Sequence, residues 1–198
     1  MSGIEIQSYI GAEVTPYIDD LARLRIEVFR EFPYLYDGSL SYEQKYLARY
    51  TQCPRCVFVL ARQGESVVGV STGLPLADEC DEIRKPLEDA GMATKDIFYF
   101  GESVLLPACR GQGIGHRFFD ERERFAQRLG PYPITTFCAV ERPTDHPMCP
   151  SDYRPHDVFW AKRGYTKHPT LRTSFAWLDL GETKETAKPM TYWLKHWP

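Results

Sequence analysis

The feature that most constrains the fold is a unit of apolar strand, glycine-rich turn and amphipathic helix in the middle of the chain. Residues 97–106 read IFYFGESVLL, an almost continuous apolar run that is typical of a strand buried on both faces. The turn RGQGIG follows at residues 110–115, and apolar side chains then recur at helical spacing as far as Leu129. We therefore expect a central strand inside a sheet, followed at once by a helix with one apolar face.

Hydrophobic patterns elsewhere predict further strands and helices on both sides of this unit. Helices are predicted from Thr15, from Ser41 to Tyr50 and over residues 157–164. No repeat or low-complexity linker divides the chain, so we expect one domain over residues 1–198. Its expected class is α/β (α+β), with a central mixed sheet flanked by helices. The other predicted strands occupy residues 4–10, 57–61, 66–73, 134–140, 171–180 and 190–195.

Charge and hydropathy argue against two classes of partner. The 198 residues include 24 Lys plus Arg and 27 Asp plus Glu, which gives a formal net charge of -3. That balance lacks the basic surface that binding to a nucleic-acid backbone requires. No apolar run approaches the ~18 residues of a membrane span, and the first residues lack a basic and apolar signal segment. We expect a cytoplasmic monomer or homodimer that binds neither nucleic acid nor membrane.

The six cysteines are too sparse in a chain of this length for a disulfide framework. Cys53 and Cys56 form a CPRC motif, which admits two functional interpretations, half of a zinc site or a redox pair. A zinc site needs a second close pair, and a redox motif opens a helix after a strand, whereas CPRC precedes a strand. Histidines and aspartates further along lie in a proline-rich loop that does not fix ligand spacing. We therefore predict two ordinary thiols in a turn and no metal.

The turn at residues 110–115 has the composition of an anion site. Glycines at 111, 113 and 115 remove side chains where the chain turns, so that several backbone N–H groups can point at one ligand from a helix N-terminus. The spacing does not fit a dinucleotide fingerprint, whose third glycine would fall at His116, and no phosphate-loop lysine follows. The alternative is a tight strand-to-helix connection, which explains one glycine but not three beside an arginine. We predict a phosphate-bearing ligand at this turn.

These motifs resemble those of the GNAT superfamily of acetyl-CoA-dependent N-acetyltransferases. The signature of that family is Gln or Arg, two residues, Gly, one residue, and Gly or Ala, and Arg110, Gly113 and Gly115 match it. The preceding SVLLP matches the end of the family's central strand, and FWAKRGY at 159–165 resembles its second signature. The resemblance implies a sheet splayed between its fourth and fifth strands, acetyl-CoA as co-substrate, and acyl transfer to an amine.

The resemblance also implies which residues hold the cofactor. The pantetheine arm would pair with the strand backbone at Val104 and Leu105. Gly101 would mark a bulge that turns an N–H toward the thioester, or it would allow close packing against a neighbour. Trp160 stands where the family usually has a tyrosine that acts as general acid, and it would border the CoA sulfur. The residues expected to contact the pyrophosphate are Arg110, Gly111, Gln112, Gly113, Ile114 and Gly115.

Transfer to an amine requires a base, because the acceptor is protonated near neutral pH. Glu102 is the first candidate, since a carboxylate in an apolar strand is partly desolvated and its pKa rises toward a useful range. The alternative is that Glu102 points into solvent or pairs with an arginine. Glu141, at the end of the next strand, is the second candidate base. Tyr153 and His156 are candidates to replace the missing acidic tyrosine.

Two segments have the composition of an acceptor pocket, the aromatic turn of residues 29–38 and the proline-rich loop of residues 141–156. A long loop inside a compact domain is usually functional, and its prolines favour an ordered wall. The mixture of charges fits a small zwitterionic amine. The alternative function is a CoA-binding regulatory protein that has lost its chemistry. The residues predicted to contact the acceptor are Arg30, Tyr34, Tyr36, Asp145 and Arg154.

Overall fold

The computed structural model describes residues 3–198 as a seven-stranded sheet in the order β1-β2-β3-β4-β5-β7-β6. Five helices, α1 to α5, cover its two faces, and none of those within residues 3–198 is long and apolar enough to cross a membrane. The strands are Glu5–Ile10, Val57–Gln63, Ser66–Pro75, Ile97–Leu105, Ile134–Val140, Thr166–Trp177 and Thr186–His196. The helices are Ile18–Phe29, Leu40–Thr51, Asp81–Asp89, Ile114–Leu129 and Asp157–Lys162.

The element order predicted from the sequence is confirmed, although several boundaries differ, most clearly at the first helix and at the last two strands. The first helix is preceded by a 3-10 turn over Gly11–Tyr17, and the regular helix begins only at Ile18. Strand β6 starts at Thr166, before the predicted start at residue 171, because it pairs with β7 on both sides of an irregularity between His168 and Arg172. Periodicity missed this extension because the irregularity breaks the alternation of apolar and polar residues.

The fourth and fifth strands separate, as the resemblance to the GNAT superfamily implies. They are the only parallel neighbours within residues 3–198 and pair from Ile97 opposite Ile134 to Tyr99 opposite Thr136. Beyond that point β4 continues to Leu105 without hydrogen bonds to β5. Every other neighbouring pair is antiparallel. The sheet is therefore mixed, mostly antiparallel and open between β4 and β5.

The opening lies between two hydrophobic cores, one on each face of the sheet. Helices α1 and α2 pack on one face, where the core includes Leu21, Leu47 and Tyr99. Helix α4 packs on the other face, and the aromatic side chains of α5 contact the same core, which includes Phe100 and Phe118. Groups on β4 beyond Tyr99 can thus be reached by side chains from both layers.

A bulge in β4 lies at the point where the opening begins. Ser71 pairs with Ser103 and Gly73 with Phe100, so Gly101 and Glu102 together oppose the single residue Thr72. A Cβ atom at Gly101 would lie 2.5 Å from the Thr72 Oγ1 atom, a distance that forces a shift. The bulge predicted at Gly101 is present. The N–H of Glu102, however, donates to the Thr72 hydroxyl and is not free for a ligand.

Arg122 contacts the bulge from the face of the sheet on which α4 packs. Its side chain is almost fully buried, and its guanidinium donates to the carbonyl oxygens of Thr72 (3.3 Å), Glu102 (3.2 Å) and Phe118 (3.2 Å). It also lies over the ring of Phe100, 4.2 Å from the centroid. Burial lowers the pKa of Arg122 to about 10, which leaves it charged at neutral pH. The bulge is thus stabilised by donors that no strand partner supplies.

Replacing Arg122 with methionine should lower the free energy of unfolding by about 2 to 4 kcal/mol, because buried carbonyl oxygens lose charged donors while the volume is kept. Urea unfolding measures the change. Arg124→Met on the same helix is the matched control, since Arg124 forms only an exposed pair with Glu121 and should change stability by less than about 0.5 kcal/mol. Equal stability of the two variants would show that these carbonyl contacts do not hold the bulge.

Candidate active site

The glycine turn presents unpaired backbone donors at the start of α4. Gly111 and Gly113 have φ values of 75° and 78°, the left-handed region that favours glycine, and no atom lies within 4 Å of the Cβ position of either. Among residues 3–198, the backbone N–H groups from Gly111 through Ile114 have no hydrogen-bond acceptor. The adjoining helix dipole adds partial positive charge. These groups together can bind an anion such as a pyrophosphate.

The third glycine of the turn, Gly115, lies against α5. A Cβ atom at Gly115 would lie 3.4 Å from the ring of Phe159, and the ring of His116 lies 4.9 Å from the same ring. Phe159 belongs to α5, the helix that carries the second sequence motif. The two motifs are separate in the sequence and meet in the structure.

Arg110 forms a hydrogen bond with the end of β4 beside this turn. Its Nε donates to the Leu105 carbonyl oxygen at 3.1 Å, and its Nη2 pairs with the Glu31 carboxylate at 2.8 Å. Val104 and Leu105 pair with β3 along one edge, and β5 has already diverged from their other edge. An extended ligand that runs along this edge would therefore reach the N–H groups of the glycine turn.

Glu102 is buried, and its carboxylate pairs with an arginine, which is the alternative recognised in the sequence. Its Oε2 lies 2.7 Å from Nη1 of Arg25, whose Nε binds the Glu43 carboxylate. Glu102 is 7% exposed, and its Oε1 has no hydrogen-bond donor among residues 3–198. Although burial opposes the effect, the two carboxylates raise the pKa of Arg25. One guanidinium thus contacts two carboxylates.

A chain of hydroxyl groups leads away from this cluster. The guanidinium of Arg25 lies over the ring of Tyr46, 4.3 Å from the centroid. The Tyr46 hydroxyl donates to that of Tyr50 (2.8 Å), which donates to the Glu79 carboxylate (2.6 Å). Burial raises the pKa of both tyrosines and of Glu79. Sequence reasoning missed this chain, although the spacing of Glu43, Tyr46 and Tyr50 places all three on one face of α2.

Glu141 lies apart from Glu102, and its carboxylate forms ion pairs with basic residues of β6. Its two oxygens lie 3.3 Å from Lys167 Nζ and 3.3 Å from Arg172 Nη2. The neighbouring Thr191 hydroxyl and these cations hold the pKa of Glu141 below its ordinary value, although burial opposes them. A carboxylate in this state is a weaker base than an unpaired one.

Tyr153 and His156 lie close together in sequence, near the end of the proline-rich loop. The Tyr153 ring packs edge-on against Phe32 of the aromatic turn, with centroids 4.6 Å apart, and burial raises the pKa of Tyr153. The His156 side chain reaches the surface, but the protein atoms around it remove part of its hydration. This desolvation, together with the positive charge of Arg110, lowers the pKa of His156. His156 is therefore neutral near pH 7, whereas Tyr153 retains its proton.

Trp160 packs against the fifth and seventh strands. Its ring lies 5.0 Å from that of Phe137 and 5.1 Å from that of Trp193, and the His156 ring is 5.7 Å away. An indole donates only from its N–H and does not titrate near neutral pH. Trp160 therefore forms part of the wall on the β5 side of the opening.

The structure brings the two predicted acceptor segments together through Arg142. This arginine donates to the carbonyl oxygen of Tyr34 (2.9 Å) and binds the Asp179 carboxylate through two nitrogens. Tyr34 stacks between Phe29 and Trp177, with centroid distances of 4.6 and 5.9 Å. Although burial raises it, Arg142 and Lys188 hold the pKa of Asp179 below its ordinary value. Sequence reasoning missed this pair because nothing local marks residues so distant along the chain.

The remaining predicted acceptor residues differ in their surroundings. Tyr36 is partly buried, whereas Arg30 pairs with Asp37 inside its own turn at 3.1 Å, with both side chains exposed. Asp145 and Arg154 are exposed and form no ion pair with any other residue of 3–198. Arg30 thus forms a surface ion pair, and Asp145 and Arg154 remain open to a ligand.

The CPRC motif forms a turn before β2, as predicted. Cys56 is 0% exposed, Cys53 is partly buried, and burial raises the pKa of both thiols. The exposed, reactive pair that redox chemistry requires is not formed. Within the part of the chain that the structure describes, no three His, Cys, Asp or Glu side chains converge as metal ligands would.

Comparisons with known proteins find similarity in structure. No protein-family model matches the sequence, and no curated protein matches it. A Desulfovibrio desulfuricans acetyltransferase assigned to the GNAT family superposes with a TM-score of 0.60 at 11% identity, covering 98% of this chain and 99% of that one. The ribosomal-protein-alanine N-acetyltransferase of Brucella melitensis gives a TM-score of 0.60 at 12% identity, with the same coverage.

A third similar structure contains coenzyme A. It is the PaiA N-acetyltransferase of Thermoplasma acidophilum, with a TM-score of 0.58, 12% identity, and 98% and 99% of the two chains covered. These likenesses extend over nearly the whole chain. The fold expected from the sequence motifs is confirmed, and this chain has the fold of the GNAT superfamily of acetyltransferases.

Proposed function

We propose that this protein transfers an acetyl or related acyl group from acyl-CoA to the amine of a small molecule. The observation that carries the proposal is the row of unpaired N–H groups from Gly111 through Ile114, placed where β4 and β5 have separated. A pyrophosphate on these groups and an extended arm along Val104 and Leu105 match the shape of CoA. The similar PaiA structure, which holds coenzyme A, supports the same ligand.

Glu102 is the proposed base. Its carboxylate lies beside the bulge on β4 and carries a buried oxygen without a donor, Oε1, which can accept a proton through a bridging water. Sharing Arg25 with Glu43 leaves Glu102 less neutralised than it would be in an exclusive pair. The acceptor ammonium loses its proton toward this oxygen, and the free amine then attacks the thioester carbonyl.

The leaving thiolate needs little assistance, because a thiol with a pKa near ~8.5 is already a tolerable leaving group. Tyr153 is the proposed proton donor, since it keeps its proton while His156 is neutral near pH 7. The acceptor would lie between the aromatic turn and the proline-rich loop, which Phe32 and Tyr153 join by direct contact.

The alternative function is a CoA-binding protein without chemistry. Two observations favour it, the packing of Trp160 in place of an acidic tyrosine and the ion pair of Glu102 with Arg25. Incubation with acetyl-CoA and a panel of small amines, with detection of the released thiol, separates the two functions. Amine-dependent thiol release supports transfer, whereas CoA binding without release for any amine supports the alternative.

Gly113→Glu should abolish CoA binding, because the new side chain places bulk and negative charge where the pyrophosphate would lie. Calorimetric titration of the folded variant with CoA measures the effect. Gly91→Glu is the matched control, since Gly91 has a φ of 79° and equally open surroundings, and its variant carries the same backbone strain far from the site. Unchanged affinity in Gly113→Glu would exclude the turn as the CoA site.

Glu102→Gln should lower kcat by roughly 10² while the affinity for CoA is kept, because the amide preserves shape but cannot accept the proton. Steady-state rates and CoA titration measure the two effects. Glu123→Gln is the control, a second buried glutamate in ion pairs with Arg163 and Lys195 on the opposite face. Full activity in Glu102→Gln would show that another group acts as the base.

Tyr153→Ala and Arg154→Ala should raise the KM for the amine severalfold, or change which amine is preferred, without altering the KM for acetyl-CoA. The reason is that both residues lie on the loop that contacts the aromatic turn. Tyr153→Ala should also lower kcat, because it removes the proposed proton donor. Tyr42→Ala, which removes an exposed tyrosine from α2, is the control. A loss of CoA affinity with unchanged amine preference would place the loop on the cofactor side.

A further inference from the structure

The hydroxyl chain of Tyr46, Tyr50 and Glu79 has a fixed direction. A carboxylate only accepts, so the proton of the Tyr50 hydroxyl points at Glu79 (2.6 Å). The Tyr50 oxygen must then accept the proton of Tyr46 (2.8 Å). Tyr50 is 8% exposed, so water competes little for these bonds. The chain is therefore ordered from Tyr46 toward Glu79.

The inner end of the chain lies beside the proposed base. Arg25 contacts Glu102 through Nη1 at 2.7 Å and the ring of Tyr46 at 4.3 Å, so both groups border one guanidinium. The Tyr50 hydroxyl lies 3.6 Å from the Cβ position of Gly101, directly against the bulge. Because Tyr46 donates onward, its hydroxyl oxygen keeps lone pairs that can accept a proton.

The outer end is a carboxylate suited to receive a proton. Glu79 follows β3, is partly exposed, and accepts the backbone N–H of Cys80 through its other oxygen at 3.0 Å. The groups that face it are the Tyr50 hydroxyl, the Cys80 backbone and, at longer range, Glu102 and Arg49. Burial is the main cause that raises its pKa, so Glu79 takes up a proton at a higher pH than an ordinary glutamate.

We propose that this chain carries the proton taken from the acceptor amine out of the site to solvent, an inference that rests on the proposed function. The O–H bond on protonated Glu102 breaks as one forms on Tyr46, directly or through a water. The proton of Tyr46 passes to Tyr50, and that of Tyr50 passes to the Glu79 carboxylate. Glu79 then releases its proton to water. Each oxygen gives up one proton for the one it receives, and Glu102 is ready for the next turnover.

Tyr50→Phe tests the relay, because it removes one hydroxyl and keeps the ring. At saturating acetyl-CoA and amine, kcat should fall at least roughly tenfold with both KM values unchanged. The solvent isotope effect on kcat should rise, and added imidazole should restore part of the rate by carrying the proton instead. A purely structural role would give neither the isotope effect nor the rescue.

Two further variants make the result decisive. Tyr9→Phe is the matched control, since Tyr9 and Tyr17 form a similar hydroxyl pair at 3.0 Å beside β1, distant from Glu102, and should leave kcat unchanged. Glu79→Gln keeps an oxygen for Tyr50 but cannot take up the proton, so it should reproduce the loss even where Tyr50→Phe does not fold. If the unaltered protein transfers acetyl groups and either relay variant is folded and retains the full rate, the relay is overturned but the proposed function is not. Absence of transfer by the unaltered protein overturns both proposals.

Discussion

The separation of β4 from β5 is the constraint on which the rest of the structure depends. Three residue pairs, from Ile97 with Ile134 to Tyr99 with Thr136, join these parallel strands before they diverge. Strand edges are costly when their N–H and C=O groups find no partner, so a gap inside a sheet is stable only where other groups or a ligand occupy it. Both the glycine turn and the bulge lie along the β4 side of this gap, which places the proposed cofactor site and the proposed base on one strand.

Two arginines on opposite faces of the sheet fix the residue at the centre of the gap. Arg122 binds the Glu102 carbonyl oxygen from the α4 side, and Arg25 binds its carboxylate from the α1 side. The Thr72 hydroxyl accepts its N–H. Buried charges are stable only when paired and hydrogen-bonded, so α1, α4 and the bulge constrain one another through Glu102. The helices therefore stabilise the sheet and also set the position of the proposed base.

The proposed acceptor side is organised by a second buried ion pair. Arg142 and Asp179 hold the backbone of the aromatic turn through the Tyr34 carbonyl, and Trp177 donates to the same oxygen. Loops that carry binding residues are usually mobile, and an anchor of this kind orders them before a ligand arrives. The wall of the proposed acceptor pocket is therefore positioned by a charged contact and aromatic stacking, while the side chains of Asp145 and Arg154 are exposed.

The sequence by itself determined the order of the elements, the central strand and the position of the glycine turn, and it indicated a bulge at Gly101 as one of two interpretations. These features are local, because apolar periodicity and glycine placement depend on neighbours within a few residues. Only the tertiary structure decided that Glu102 pairs with Arg25, that Arg142 joins the acceptor segments, and that Tyr46 and Tyr50 lead to Glu79. Those contacts join side chains separated by tens of residues, and an ion pair or hydrogen bond leaves no local pattern by which one partner identifies the other.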